Sequence, residues 1–405
     1  MTNTKRAGIC APLGYTAAGI HSGISPHKDK KDLALVLSEV RAKTVALYTT
    51  NLVQGNHISV CKDHLKDGFS QALLINSANA NACVKDGVSL AYETCLLASE
   101  VLGIAKEDVL PLSTGVIGHP LALEPFSSGL PRLALELSDK GNQDAANAIL
   151  TTDTYIKEAQ ARVEIDGVDV HIGGMAKGSG MINPNMATTL CMLTTDALID
   201  DEIMYELLKD AADKSINCVS VDGDTSTNDT LVLMANGLAG NPVIKKDSPG
   251  YEMFKEALEA CLIELAKMLA KDGEGATKLL QCHVQGCESD KKAQKLAQSV
   301  INSSLVKAAS FGEDANWGRI LCALGYSNTY FDLEKLDIRY LSKFGELKVF
   351  IAGSNVAFDE EYASKVLSSD EVTIEVDLHE GRAEAWAYGC DLSYEYVRIN
   401  GDYRS

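Results

Sequence analysis

The pattern that most constrains the fold lies at residues 162–172. Apolar residues alternate with polar ones on both sides of Asp166-Gly167, which is the spacing of strands with one buried face. An Asp-Gly pair between two such runs favours a type I′ turn, so the segment predicts a β-hairpin. A short apolar run at 191–193 predicts the start of a further buried strand. A single loop therefore separates the hairpin from the next strand.

Elsewhere, predicted strands and helices follow one another irregularly. We predict strands at 72–75, 230–234 and 278–284, helices at 86–102, 133–150, 200–216, 251–271 and 290–301, and a second hairpin at 372–388 that turns at Glu380-Gly381. This order lacks the regular strand–helix–strand rhythm of a doubly wound parallel sheet. It favours a layered α+β architecture instead.

The charge and cysteine content exclude several classes of function. The chain has 56 acidic and 37 basic residues and a formal net charge of −19, which argues against a nucleic-acid partner because such proteins need a basic face. No apolar run reaches the ~18 residues that would span a bilayer. The 11 cysteines form no CxxC pair, and no cysteine or histidine spacing resembles a metal site. We expect a cytoplasmic protein with reduced thiols, no cofactor, no metal and no membrane partner.

The loop after the hairpin reads Lys177-Gly-Ser-Gly-Met-Ile-Asn-Pro-Asn-Met-Ala-Thr-Thr-Leu190. Its glycines permit a tight bend and Pro184 fixes a local turn, so the same residues suit an ordinary loop or a self-cleaving one. In the second case the Thr188 hydroxyl would attack the Ala187 carbonyl in an N→O acyl shift, and water would then hydrolyse the resulting ester. The new chain would begin with threonine, whose α-amine, with an ordinary pKa of about 7.7–8.0, can serve as its own base.

Further segments resemble the ornithine acetyltransferase family, the glutamate N-acetyltransferases of arginine biosynthesis, and they follow one another in the order expected of that family. Besides the loop, they are Gly8-Ile-Cys-Ala-Pro-Leu-Gly-Tyr-Thr-Ala-Ala-Gly-Ile20, Tyr48-Thr-Thr-Asn51, Ile75-Asn-Ser-Ala-Asn-Ala-Asn-Ala-Cys83, Ser113-Thr-Gly-Val-Ile-Gly118, Thr151-Thr-Asp-Thr154, Asp222-Gly-Asp-Thr-Ser-Thr-Asn-Asp229, Asp272-Gly-Glu-Gly-Ala-Thr-Lys278, Phe311-Gly-Glu-Asp-Ala-Asn-Trp-Gly-Arg319 and Ile399-Asn-Gly-Asp-Tyr-Arg-Ser405. Ala78 and Gly401 stand where the family mostly has glycine and alanine, and Thr189 where it mostly has methionine.

The resemblance implies an architecture and a reaction. The fold would be a layered α/β/β/α sandwich that is similar to the N-terminal-nucleophile hydrolases but differs from them in topology. Self-cleavage would give an alpha chain, 1–187, and a beta chain, 188–405, associated as a heterotetramer of two of each. Thr188 would carry the acetyl group from N-acetylornithine to glutamate. Whether acetyl-CoA also serves as a donor stays open.

The resemblance also implies a set of site residues. Thr114 and Gly115 would form the oxyanion hole, and the loss of one such donor typically lowers the rate by about 10²–10³. The substrate would contact Thr154, Lys177, Thr188, Glu274, Asn400 and Ser405. We expect Lys177 to pair with the substrate carboxylate. Glu274 would meet the substrate ammonium or orient the Thr188 amine, and the sequence leaves both roles open.

Two other functions fit parts of the sequence. An N-terminal-nucleophile amidohydrolase or aminopeptidase would share the self-cleavage but use water as the acceptor. A non-catalytic binding protein with a Gly-rich ligand loop would stay uncut. Acceptor dependence and the size of the chain distinguish these alternatives from the transferase.

Overall fold

A computed structural model describes residues 6–183 and 189–402. The strands are β1 Tyr15–Ile20, β2 Leu33–Tyr48, β3 Phe69–Asn76, β4 Val109–Ser113, β5 Lys157–Ile165, β6 Val168–Lys177, β7 Leu190–Thr195, β8 Val219–Ser220, β9 Thr230–Ala235, β10 Leu279–Cys287, β11 Asp337–Ser342, β12 Gly345–Ile351, β13 Ser354–Asn355, β14 Glu371–Asp377 and β15 Ala383–Cys390. The helices are α1 Asn56–His64, α2 Gly87–Leu102, α3 Glu124–Leu135, α4 Asn142–Ala148, α5 Asp201–Asp213, α6 Gly250–Lys271, α7 Asp290–Ile301, α8 Ser304–Phe311, α9 Trp317–Gly325, α10 Glu360–Leu367 and α11 Tyr394–Asp402.

The first sheet has the order β4-β3-β2-β9-β7-β6-β5, with β1 paired to β2 off this path. The long strand β2 pairs with β3 over its first part and with β9 over its last part, and its register with β3 shifts between Leu37 and Ala42. Such irregularities bend a strand. Residues of β3 and β4 share one buried cluster with residues of β7 and β9, so the two halves of this sheet face each other across a core.

Helices cover both outer faces of this folded sheet. Helices α2 and α3 bury apolar side chains against β2, β3 and β4, and α5 and α6 do the same against β5, β6, β7 and β9. The layers thus run helix, sheet, sheet, helix. The predicted α+β class and the predicted α/β/β/α layering are confirmed.

The second sheet, β13-β12-β11-β14-β10-β15-β8, comes entirely from the chain after residue 218. Helices α7, α9 and α10 pack on one of its faces around a separate core. Helices α7 and α10 begin where the side chains of Ser289 and Asp359 accept hydrogen bonds from the backbone of their first turns. The end of α6 joins the two sheets, because its core cluster includes Leu279 and Tyr388 of the second sheet.

The hairpin predicted at 162–172 is confirmed. Strands β5 and β6 pair antiparallel, with Ile165 opposite Val168, and Asp166 and Gly167 both have positive φ as a type I′ turn requires. The predicted strands at 72–75, 191–193, 230–234 and 278–284 lie within β3, β7, β9 and β10. The predicted helices at 86–102, 200–216, 251–271 and 290–301 correspond to α2, α5, α6 and α7.

Two predictions are wrong. The helix predicted at 133–150 is broken into α3 and α4, because Ser138 exchanges two backbone hydrogen bonds with Ala17 of β1 and interrupts the helical ladder. The hairpin predicted at 372–388 is not one. Both strands exist, but β10 lies between β14 and β15 and pairs with each of them. Sequence proximity favours direct pairing, and here a strand from about ninety residues earlier takes that place.

All 11 cysteines lie in the described residues as free thiols, and only Cys83 and Cys322 among them are exposed. Among the helices of residues 6–183 and 189–402, none combines the length and the apolar character that crossing a membrane requires.

Candidate functional site

Four strand ends meet in one row at one end of the first sheet. Lys177 at the end of β6 pairs with Leu190 at the start of β7, Leu190 pairs with Thr230 at the start of β9, and Thr230 pairs with Tyr48 at the end of β2. Each of these strands continues into a loop that contains a segment singled out in the sequence. The sheet therefore gathers these loops at one place.

The loop at 222–229 ties the two halves of the folded sheet together here. The Asn228 side-chain amide donates to the carbonyls of Ala80 at 2.6 Å and Ser113 at 2.8 Å. On the other side, the Thr49 hydroxyl donates to the Ser226 carbonyl at 2.7 Å, and the Asn51 amide donates to the Thr225 carbonyl at 2.9 Å. These bonds fix the turn at 113–118 against the row of strand ends.

The turn that contains Thr114 and Gly115 is tightly packed. The Thr114 N–H donates to the Asn76 carbonyl at 3.0 Å, so its hydroxyl, rather than its N–H, is the group left for a ligand. Gly115 has φ of 129°, and a Cβ there would come within 2.3 Å of the Ala78 carbonyl carbon. Only glycine fits this conformation and this approach. Ala78 itself has φ of 72°, a left-handed conformation at a position where the resembled family mostly has glycine.

Lys177 and Thr114 lie together. The buried Lys177 ammonium donates to the Thr114 hydroxyl oxygen at 3.3 Å, which leaves the hydroxyl proton free to point elsewhere. Burial lowers the pKa of Lys177, and the Asp153 carboxylate opposes that shift because it stabilises the cationic form. The nearby Asp229 is buried as well, and burial raises the pKa of its carboxyl well above the usual value.

A buried ion cluster lies directly behind Lys177. The Lys157 ammonium donates to Asp153 at 2.7 Å and to Asp272 at 2.5 Å. Burial disfavours the charged form of Asp153, but Lys177 and Lys157 outweigh burial and hold the pKa of this carboxyl well below its usual range. Asp272 in turn accepts hydrogen bonds from both the N–H and the hydroxyl of Thr154.

Glu274 and Asn400 contact each other on the more exposed side of the candidate site. The Asn400 amide donates to the Glu274 carboxylate at 2.8 Å, and the Glu274 N–H donates to the Ser179 carbonyl at 2.8 Å. A Cβ at Gly180 would lie 2.5 Å from the Glu274 carboxylate, so the loop after β6 passes directly over it. The Glu274 charge also acts on Lys177.

Ala187, Thr188 and Ser405 lie outside the described residues. The chain on either side of 184–188 is well anchored. Before it, Asp222 accepts the N–H groups of Met181 at 2.6 Å and Ile182 at 2.9 Å. After it, the Thr189 carbonyl accepts the Thr230 N–H at 3.0 Å. The structure thus brings together Thr114, Gly115, Lys177, Thr154, Glu274 and Asn400, the predicted site residues that it describes.

Comparison with known proteins decides the family. The ArgJ family model matches residues 16–405. This chain belongs to the ArgJ family. The family resemblance drawn from the sequence segments is therefore confirmed.

Close relatives of this ArgJ-family chain match along nearly their whole length. The arginine biosynthesis bifunctional protein ArgJ of Symbiobacterium thermophilum is 50% identical over 98% of this chain and 98% of that protein. The protein of the same name from Caldanaerobacter subterraneus subsp. tengcongensis is 46% identical over 97% and 98%. A crystal structure of arginine biosynthesis bifunctional protein argJ from Bacillus halodurans is 42% identical, covers 52% of this chain and 97% of that chain, and has a TM-score of 0.49.

Several residues of the candidate site were not predicted from the sequence. Asp153 and Asp272 lie inside segments that resemble the family, but their roles as acceptors for Lys157 and Thr154 depend on contacts between distant parts of the chain. Asn228 likewise lies in such a segment, but the sequence assigns it no role. Lys157 lies outside these segments, and only its place at the start of a strand with an alternating pattern indicates that its side chain points inward. A lone lysine there gave no other signal.

Proposed function

We propose that this ArgJ-family chain is a self-cleaving acetyltransferase of arginine biosynthesis. It would move the acetyl group of N-acetylornithine to glutamate through an acetyl ester on Thr188. The relatives named arginine biosynthesis bifunctional protein ArgJ, similar over nearly their whole length, support the general role. The site geometry supports the chemistry.

One observation carries the proposal. A buried ammonium, Lys177, contacts the hydroxyl of Thr114, and Gly115 follows in a turn that admits no side chain. Glu274 supplies an anion at the same place and Asn400 holds it. A substrate with one carboxylate and one ammonium needs a cation and an anion around the reacting carbonyl. An acyl transfer needs oxyanion donors between them.

The reaction proceeds in two balanced halves. The Thr188 hydroxyl oxygen adds to the acetyl carbonyl and gives its proton to the Thr188 α-amine. The carbon–nitrogen bond then breaks, the proton passes to the departing nitrogen, and ornithine leaves an acetyl ester behind. The glutamate amine attacks this ester and the ester carbon–oxygen bond breaks. The amine proton passes through the α-amine to the Thr188 oxygen, and N-acetylglutamate leaves. Thr114 and Gly115 would donate to the oxyanion of both tetrahedral intermediates.

The two substrate-binding charges have different assignments. Lys177 would pair with the substrate carboxylate, since its ammonium is already held beside Thr114. Glu274 would accept the side-chain ammonium of N-acetylornithine. Its hydrogen bond from Asn400 leaves its other oxygen for that contact. Orientation of the Thr188 amine by Glu274 is the alternative, and the variant Glu274→Gln distinguishes the two. Loss of ornithine recognition with intact cleavage favours the first role.

The two fragments would stay associated after cleavage. β6 of the first fragment pairs with β7 of the second, and β2 pairs with β9. The folded sheet therefore crosses the proposed boundary twice, and separation would expose its core. We propose that two such pairs form a heterotetramer, which light scattering after size-exclusion chromatography measures directly.

Mass spectrometry of the purified protein tests the self-cleavage. Two fragments are expected, one of which begins at Thr188. Thr188→Ala should remain a single chain without transferase activity. Thr189→Val is the matched control: it removes the neighbouring hydroxyl and should still be cut. An active, uncut Thr188→Ala protein would rule out the mechanism.

A second assay separates the transferase from a hydrolase. With N-acetylornithine as donor, ornithine release should rise sharply when glutamate is added. Release that ignores glutamate would favour the amidohydrolase instead. The word bifunctional in the names of the relatives supports a second activity. Glutamate with acetyl-CoA alone, followed by the appearance of free thiol, tests whether acetyl-CoA is that second donor.

A further inference from the structure

A completely buried lysine binds two carboxylates behind the site. The side chains of Lys157 and Asp153 are 0% exposed and that of Asp272 is 2% exposed. The Lys157 ammonium lies 2.7 Å from Asp153 and 2.5 Å from Asp272. We call Lys157, Asp153 and Asp272 the buried cluster. Lys157 and Asp153 precede the proposed cut and Asp272 follows it.

Each carboxylate of the buried cluster also holds a part of the site. Asp153 accepts the N–H of Gly178, the residue after Lys177, at 2.6 Å, and the N–H of Thr151 at 2.9 Å. Asp272 accepts the N–H of Thr154 at 3.0 Å and its hydroxyl proton as well. Lys157 thus connects, through one carboxylate each, the backbone beside Lys177 and the side chain of Thr154.

The buried cluster also determines the charge around Lys177. Among the described residues, the charged and titratable groups that act most strongly on the Lys177 ammonium are Asp153, Lys157, Asp229 and Glu274. Asp153 favours the protonated form of Lys177, and Lys157 disfavours it. Removal of either charge should therefore change the proton affinity of Lys177, and the two changes should have opposite signs.

Packing alone does not explain this arrangement. A buried ion pair is seldom more stable than apolar residues of the same volume, because desolvation of the charges offsets their attraction. An apolar trio would fill the same space, but it could neither accept the N–H of Gly178 and the hydroxyl of Thr154 nor act on the Lys177 charge.

We infer that Lys157, Asp153 and Asp272 are positioning residues, which orient Lys177 and Thr154 for the substrate. Because Asp153 and Lys157 also act on the Lys177 charge, the pH at which Lys177 loses its proton reports on the same contacts. The inference rests on the proposed function only for the identity of the ligand whose carboxylate Lys177 binds. The positioning acts through Lys177 and Thr154, and none of the three residues of the buried cluster needs to touch the substrate.

The pH dependence of substrate binding tests this inference. The Michaelis constant for N-acetylornithine is measured from pH 6 to pH 10 and expressed relative to the wild type, so that titration of the ligand cancels. Asp153→Asn keeps the shape of the side chain and removes its charge. Binding should then weaken at a pH about one unit lower than in the wild type. In Lys157→Met, binding should weaken at a pH about one unit higher than in the wild type.

A second readout does not depend on the proposed function. Competitive labelling of the protein with trace acetic anhydride, read by mass spectrometry at each pH, follows protonation of the Lys177 amine directly. The same opposite shifts are expected without any substrate. If the wild type transfers no acetyl group, the proposed function fails, and this labelling still decides the inference.

The control variant breaks an ion pair away from the site. Lys292 and Glu380 lie 2.5 Å apart on the second-sheet side, with side chains 12% and 11% exposed. Lys292→Met should leave two values as they are in the wild type: the pH at which substrate binding weakens and the pH at which Lys177 labelling changes. If Lys157→Met does not fold, Asp153→Asn alone decides. The inference would be overturned if binding by Asp153→Asn weakened at the same pH as in the wild type. It would also be overturned if Asp153→Asn and Lys157→Met shifted that pH in the same direction.

Discussion

The same kinds of charged side chains occur in two different settings in this molecule. At the end of the first sheet, Lys157 lies completely buried between Asp153 and Asp272. On the open face of the second sheet, Arg339 pairs with Glu375 and Glu346, with 36% of the arginine side chain exposed. The two settings contain similar ion pairs and differ in the surrounding medium, so the number of ion pairs alone says little about what they do.

The surrounding medium determines both the free energy that a charge contributes and how strongly it acts on neighbouring groups. A pair at the surface is screened by water and salt and contributes about 0–1 kcal/mol. Buried charges act on one another through a weakly polarisable interior, so one charge shifts the proton affinity of its neighbours. The buried cluster can therefore influence Lys177, whereas the pairs on the second sheet influence little beyond themselves.

Removal of one charge from each setting should give the largest contrast. Lys157→Met leaves two carboxylates buried without their cation and should destabilise the protein by about 3–5 kcal/mol. Arg339→Met, on the exposed face of β11, should cost about 1 kcal/mol or less. Calorimetric unfolding of both variants beside the wild type measures the difference. Equal losses would show that the two settings do not differ in the way described.

An added methyl group at a glycine should lower stability in both regions but should lower activity only at the candidate site. A methyl group at Gly115 would lie 2.3 Å from the Ala78 carbonyl carbon, and one at Gly353, φ 75°, would lie 2.8 Å from the Glu334 Cα. Both alanine variants should lose stability. Only Gly115→Ala should also lower acetyl transfer, by about 10²–10³, because it would displace a proposed oxyanion donor. A similar loss of rate in Gly353→Ala would contradict this division.

The contrast also explains how far sequence reasoning reached. The hairpin at 162–172 and the strands around it follow from short-range patterns, and the structure confirms them. The hairpin predicted at 372–388 failed because insertion of β10 between β14 and β15 is a long-range event. The helix predicted at 133–150 failed for a related reason, since Ser138 pairs with β1.

The candidate site divides in the same manner. Thr114, Gly115, Lys177, Glu274 and Asn400 were expected from their segments, and the structure places them together. Two other features depend on residues far apart in the chain. The Thr114 N–H donates to the Asn76 carbonyl, and Lys157 joins two carboxylates. No local pattern of one sequence reports such contacts.

A backbone change should have the same effect in both regions, because strain does not depend on the medium. Ala78, near the site, and Ala352, in a turn of the second sheet, have φ of 72° and 46°. Alanine is disfavoured in this left-handed conformation, and glycine adopts it freely. Ala78→Gly and Ala352→Gly should each stabilise the protein by about 0.5–1 kcal/mol, after allowance for the greater freedom of glycine in the unfolded chain. Thermal midpoints that rise at only one of the two positions would contradict this.

The smallest expected effect concerns a histidine on the second sheet. His379 lies 3.0 Å from Asp337 and also near Asp377, and the hydrogen bond to Asp337 raises its pKa above 6.5, although burial opposes this. A raised pKa in the folded protein means that the charged pair adds stability below about pH 6.5 and that this stability disappears as the pH rises through the folded-state value.

With half of its side chain exposed, His379 should contribute only a few tenths of a kcal/mol after screening. His379→Gln should therefore lower the unfolding midpoint slightly at pH 5.5 and leave it unchanged at pH 9, and 1 M salt should abolish the difference at pH 5.5. The effect of Asp153→Asn on Lys177 should survive the same salt, because both groups are buried and salt screens buried charges much less than exposed ones. If salt removed both effects equally, the distinction between a buried network that governs a site and a solvated one that does not would fail.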